Sequence, residues 1–166
     1  MHRIVDLIAS VAELAARIGN ALWWLGPTLG RIVVGVVFVQ SGWGKLHDLA
    51  KVTDYFASLG LPKPAFQAAL ASTTEFVCGA LVLVGFATRF AVVPLIITMC
   101  VAIRSALWDQ VDGISSTFSM IEGLYIVLCA WLGTTGAGPL SVDALIARWY
   151  AGSAETAARE SIRALA

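Results

Sequence analysis

Lys45, Glu75, Arg104 and Glu122 are the residues of this 166-residue chain on which chemistry would rest, because each lies within or at the edge of a long apolar stretch. A charge inside a bilayer is costly unless it meets a partner or faces a water-filled cavity. Two bases and two acids at comparable depth form a neutral set, able either to lock helices together or to line a polar pocket. In a pocket, Lys45 or Arg104 would donate to a carbonyl of a lipophilic ligand, and Glu75 or Glu122 would carry a proton. The alternative, ion pairs that only hold a bundle, stays open beside it, although a buried ion pair is a weak source of stability. Helical spacing turns the set inward. Ala68, Ser72, Glu75 and Gly79 share one stripe, Ser119, Glu122, Ile126, Cys129 and Gly133 a second, and Gly35, Phe38, Gly42 and Lys45 a third. Small residues beside each charge are those that let membrane helices approach closely.

Other chemistries lack their parts. The two histidines, His2 and His47, both lie outside the apolar stretches, so no imidazole pair can hold a haem from this chain alone, and no Ser-His-Asp set can form. Cys78, Cys100 and Cys129 stand singly without a Cys-x-x-Cys pair, which gives no metal site and no thiol exchange. No dinucleotide-binding glycine loop is present. With net charge zero and no basic run, nucleic acid is excluded as a partner. A catalytic residue cannot be named.

The elements that must position the four charges are membrane helices. The chain is 58% hydrophobic and 13% charged, with a mean hydropathy of +0.82. Soluble domains run at about 45–50% apolar and about 25% charged, and a helix crossing the bilayer needs roughly 20 residues. The apolar runs predict four spans, over 28–44, 65–86, 90–108 and 117–134, with a polar loop over 45–64, a short turn at Thr88-Arg89, a loop over 109–116, and a kink at Pro94. Residues 1–25 read as an amphipathic surface helix, polar on the stripe Arg3, Asp6, Ser10, Glu13, Arg17 and Asn20. Those charges also interrupt any signal-peptide core, so the segment is expected to be retained. Trp23 and Trp24 follow as an interfacial belt and Gly26-Pro27 as a break. Residues 26–140 then form the bundle and 141–166 a surface helix, capped by Ser141, with an Ala-rich tail. The fold class is therefore an all-α, integral membrane four-helix bundle with amphipathic interfacial helices at both ends. Four spans put both termini on one side, with Arg3, Arg17, Arg31, Arg89, Arg148, Arg159 and Arg163, against Lys45, Lys51, Lys63 and Arg104 on the other. By the positive-inside rule the termini are cytoplasmic and the chain is a multi-pass protein of the cytoplasmic (inner) membrane.

The same residues carry a family likeness. The chain resembles the DoxX family of four-helix membrane proteins through Arg31 with Gly35-Val36-Val37-Phe38, Gly42-Trp43-Gly44-Lys45-Leu46 and Phe56-Ala57-Ser58-Leu59-Gly60-Leu61-Pro62. Glu75 with Gly79, Leu81 to Gly85, Thr88-Arg89, Met99 with Ala102, Glu122, and Gly138-Pro139-Leu140-Ser141-Val142-Asp143 complete the match. That family is related to a subunit of thiosulfate:quinone oxidoreductase and is more distantly similar to the SURF-type cargo receptors. The resemblance spans about residues 28 to 148 and departs at Cys78, where relatives often have glycine, and at Arg104, where many carry histidine. It implies a membrane subunit of a quinone-linked or redox-related complex. Taken with that resemblance, the four charges Lys45, Glu75, Arg104 and Glu122 would line the head-group region of a quinone or another small ligand, and the partners would be membrane lipids and other subunits of the complex. An accessory or scaffold subunit without chemistry is the alternative. A solute carrier fits less well, because the spans show no repeat and no paired broken helices.

Overall fold

A computed structural model describes residues 2–152, without the side chains of residues 2–5 and 7. The expected Ala-rich tail with Arg159 and Arg163, and the side chains of Arg3, Ile4, Val5 and Leu7, fall outside that description. Among the described residues the chain is helical, with no strand. Helix α1 runs His2–Leu22, α2 Leu25–His47, α3 Leu49–Ser58, α4 Pro64–Val84 and α5 Thr88–Ala106. After a 3-10 turn at Trp108–Gln110 come α6, Ile114–Ser119, and α7, Ile121–Thr135. A last helix, α8, begins at residue 142.

Helices α2, α4 and α5 are each long and apolar enough to cross a membrane. Helix α7 is equally apolar but has 15 residues, about 22 Å at 1.5 Å per residue, short of the roughly 30 Å hydrocarbon layer. The four pack as a bundle: α2 lies along α4, α4 along α5, α5 along α7, and α7 closes the ring against α2. Val34, Phe38, Val82, Val92, Leu95, Met99, Cys129 and Leu132 fill the centre, and Phe38 meets Tyr125 edge-on at 5.3 Å between ring centroids. The α2–α4 contact is close because it is glycine on glycine-sized ground. A Cβ on Gly35 would lie 2.6 Å from Leu83 Cα, and one on Gly79 2.8 Å from Phe38 Cβ. All-lipid surroundings offer no hydrophobic drive between helices, so such close packing is what holds them.

Three sequence expectations shift. The break before the first span falls at Trp23-Trp24, and Pro27 sits inside the first turn of α2, where its missing N–H costs nothing. The polar loop over 45–64 contains a helix, α3, capped by Asp48 accepting from Lys51 N at 3.4 Å. The fourth span is not continuous, because Met120 adopts an extended conformation (φ −80°, ψ 145°) between α6 and α7. Gly123 packs against the backbone of Thr117 there, so the two pieces fold onto one another at a position only glycine tolerates.

Candidate functional site

Glu75 is the one carboxylate buried in the bundle among the described residues, at 2% exposure. Its position follows from the stripe on α4: Ala68, Ser72, Glu75, Gly79 and Val82 are the buried residues of that helix, as the spacing predicts. Lys45 reaches both carboxylate oxygens from the last turn of α2, at 2.6 and 2.7 Å, and Ser41 Oγ donates to the second oxygen at 2.8 Å. Close approach of the helices makes this reach possible, since a Cβ on Gly42 would sit 2.8 Å from Ser72 O. The Lys45 side chain is 36% exposed. An ammonium has three donors, and two are aimed at Glu75, so the third is left toward the open side.

On that side lies a cavity of about 1060 Å³. Lys45 and Glu75 form its inner polar wall; Val52, Tyr55 and Phe56 of α3 and Pro94, Ile97 and Val101 of α5 form apolar walls, and Glu122 lies across from α4. Phe66, Leu70, Ile97 and Val101 are themselves exposed on the flank of the bundle, so the cavity opens sideways where lipid chains run. Lys51, Lys63 and Gln67 stand at its mouth toward the loop end. A mostly apolar cleft with a few convergent polar groups is the usual form of a small-molecule site.

The four sequence candidates are therefore not one cluster. Lys45 and Glu75 are paired. Glu122 is half-buried at the start of α7, lines the cavity, and makes no hydrogen bond or ion pair among the described residues. Arg104 is exposed, off the cavity wall, with its guanidinium 4.7 Å from the ring centre of Trp108, a cation–π contact. One step along a helix turns a side chain by about 100°. Ile103 takes the buried position, and Arg104 is turned out of it. Ser41 was missed by the charge-based reading, though its position four residues before Lys45 places it on the same face. The wall residues of α3 were missed with that helix; the spacing of Val52, Tyr55, Phe56 and Leu59 carries the signal.

At the other end of the bundle the Gly138-to-Asp143 stretch turns back onto the α4–α5 turn. Gly85 (φ 72°) ends α4 with Phe86 N donating to Leu81 O at 2.9 Å, a Schellman closure. Asp143 then accepts from Ala87 N at 2.8 Å and Thr88 N at 3.3 Å, capping α5 from a distant part of the chain. Ser141 caps α8 as expected, accepting from Ala144 N at 3.1 Å.

Comparison with known proteins agrees with this architecture. The chain is 33% identical over 129 residues to the uncharacterized membrane protein Rv3486 of Mycobacterium tuberculosis, covering 68% of this chain and 76% of the relative. It is 32% identical over 84 residues to the putative oxidoreductase CatD of Bacillus subtilis, 51% of this chain and 61% of that one. It is 28% identical over 128 residues to the inner membrane protein YqjF of Escherichia coli, 74% and 92%. No solved structure matches. The DoxX family model matches residues 26–108, which hold α2 through α5 and with them both members of the buried ion pair, and the chain belongs to the DoxX family.

Proposed function

We propose that this protein is a multi-pass inner-membrane subunit of a quinone-linked redox complex and that the lateral cavity receives the quinone. The observation that carries the reading is the Lys45–Glu75 pair, a buried carboxylate met by a half-exposed ammonium at the inner wall of an apolar cleft that opens to the lipid. Two relatives are named in keeping with it, one as a putative oxidoreductase and one as an inner membrane protein. A bound quinone would supply a two-electron, two-proton couple, with electrons delivered by a redox centre on a partner subunit. This chain's own residues would do the rest. Lys45 would donate its third N–H to a ring carbonyl, Glu75 would hold that ammonium in position, and the apolar walls would exclude water. Glu122, half-buried and free of protein partners among the described residues, would pass a proton between the loop end and the cavity.

A second reading has its own support. Glu75 is fully satisfied by Lys45 and Ser41, so the pair can serve purely as a clamp between α2 and α4 in an accessory subunit. Glu75→Gln separates the two. With the quinone reading, the complex purified in mild detergent carries quinone, and the variant stays assembled while quinone-coupled turnover falls about 10²-fold. If quinone is absent and turnover is unchanged, or if the variant loses only assembly, the clamp reading replaces it.

A further inference from the structure

The end of the bundle opposite the cavity collects arginines that have no carboxylate partner. Arg31 of α2 donates through Nη2 to Leu140 O, Arg148 of α8 through Nη2 to Pro139 O at 3.4 Å, and Arg89 of α5 through Nη2 to Thr134 O at 3.5 Å. All three thus converge on one connection, residues 134–140. Among the described residues the ion pairs are Arg17–Glu13 and Lys45–Glu75, so none of these guanidiniums has an acid within 4.0 Å. The carboxylate close by, Asp143, is occupied by the amides of Ala87 and Thr88. Arg31 is 6% exposed, and its Nε and Nη1 find no acceptor. A buried guanidinium with two idle donors leaves an uncompensated positive field behind the surface.

The surroundings say what kind of anion fits. A cavity of about 510 Å³ between the α4–α5 turn and the 136–138 bend is lined by Arg89, Phe90, Gly136, Gly138 and Ser141, and by Asp143, whose carboxylate is bonded to the amides of Ala87 and Thr88. Large apolar side chains stand outward at this end: Phe90, on the cavity wall, is 80% exposed, and Leu145 and Trp149 of α8, which follows Ala144 of that wall, are 67% exposed. An anion recognised by forked guanidiniums and followed immediately by apolar surface is the headgroup of a lipid rather than a soluble ion. We propose that Arg89 and Arg148 hold the phosphate of an anionic phospholipid at this end of the bundle, with Arg31 as the buried charge behind them. Phe90, Leu145 and Trp149 would then lie against its acyl chains.

The test uses the full chain reconstituted from equimolar phosphatidylglycerol and phosphatidylcholine, then delipidated in mild detergent, with the retained lipids quantified. Two arginines at an anionic headgroup are expected to enrich phosphatidylglycerol about tenfold or more. Arg89→Gln with Arg148→Gln should bring the ratio back near one with helicity unchanged, since both side chains are exposed. Arg17→Gln, an exposed charge on α1, should leave the ratio as it is. The double lysine variant should keep only part of the enrichment, because lysine lacks the fork. Equal retention of the two lipids by the wild type, or unchanged enrichment in the double glutamine variant, overturns the proposal. Displacement of the lipid by millimolar inorganic phosphate would assign the site to a soluble phosphate and overturn it equally.

Discussion

At the scale of single residues, the consequential fact is that one acid inside the bundle has both carboxylate oxygens bonded to two neighbours on the facing helix. Removing Lys45 alone leaves Glu75 buried without a counter-charge, which typically costs about 3–5 kcal/mol, whereas replacing both members of such a pair by apolar residues of similar volume is often neutral. Lys45→Met should therefore destabilise the protein by that amount in an SDS-unfolding titration, and Lys45→Met with Glu75→Met should recover most of it. A double variant no more stable than the single one would mean that the pair is not coupled as the geometry has it. The inward face of Glu75 was legible in the sequence because a charge in an apolar run must face inward and the stripe of small residues said which way inward was, while its partner, Lys45 or Arg104, was left open. Arg104 was not legible by the same rule. It stands at a helix end, where one residue of register decides between cavity and surface, and Trp108 one turn further on offered it a partner outside.

At the scale of elements, the helices that span were readable from hydropathy alone, while two of the three departures came from local backbone chemistry hidden in polar stretches. Helix α3 hides in a segment whose polar residues outvote a four-residue apolar face. The break at Met120 hides in a serine- and threonine-rich run whose hydroxyls turn back on their own backbone, Thr117 Oγ1 to Gly113 O at 3.1 Å and Ser119 Oγ to Ser115 O at 2.9 Å. Such residues compete with regular helix hydrogen bonding. What positions the site is the α2–α4 contact, and glycine is its means. Gly42 faces the α4 backbone and Gly44, two residues on, faces open space. Gly42→Ala should push the helices apart and cost about 1–3 kcal/mol, with the Lys45–Glu75 bond lengthened. Gly44→Ala, on the outer face of the same helix, should be neutral or stabilising by up to about 1 kcal/mol. Equal unfolding midpoints for the two variants would show that the close approach is not what fixes α2 on α4.

At the scale of the whole molecule, both ends of the bundle carry bases, lysines with Arg104 at one and arginines at the other. Lys45, Lys51 and Lys63 gather at the end with α3 and the cavity mouth, and Arg31, Arg89 and Arg148 at the end where α8 returns to the α4–α5 turn. That return bears on topology. Asp143 N donates to Gly85 O at 2.9 Å and Gly138 packs on Pro27 and Thr28, so the chain leaves α7 at the same end at which it enters α2. Whatever shortness α7 has, it carries the chain back across the bundle, and the segments before α2 and after α7 begin on one side. By the positive-inside rule the expectation is that this side, which carries Arg31, Arg89 and Arg148 against Lys45, Lys51, Lys63 and Arg104 on the other, is cytoplasmic. An anionic lipid held by Arg89 and Arg148 would act in the same direction, since anionic headgroups draw basic residues to the cytoplasmic leaflet. In a variant cleared of Cys78, Cys100 and Cys129, a cysteine at Ser58 should react with a membrane-impermeant maleimide in intact cells and one at Ser153 only after permeabilisation. Labelling of the Ser153 position alone in intact cells would invert the orientation, and labelling of both would mean that α7 does not complete a crossing.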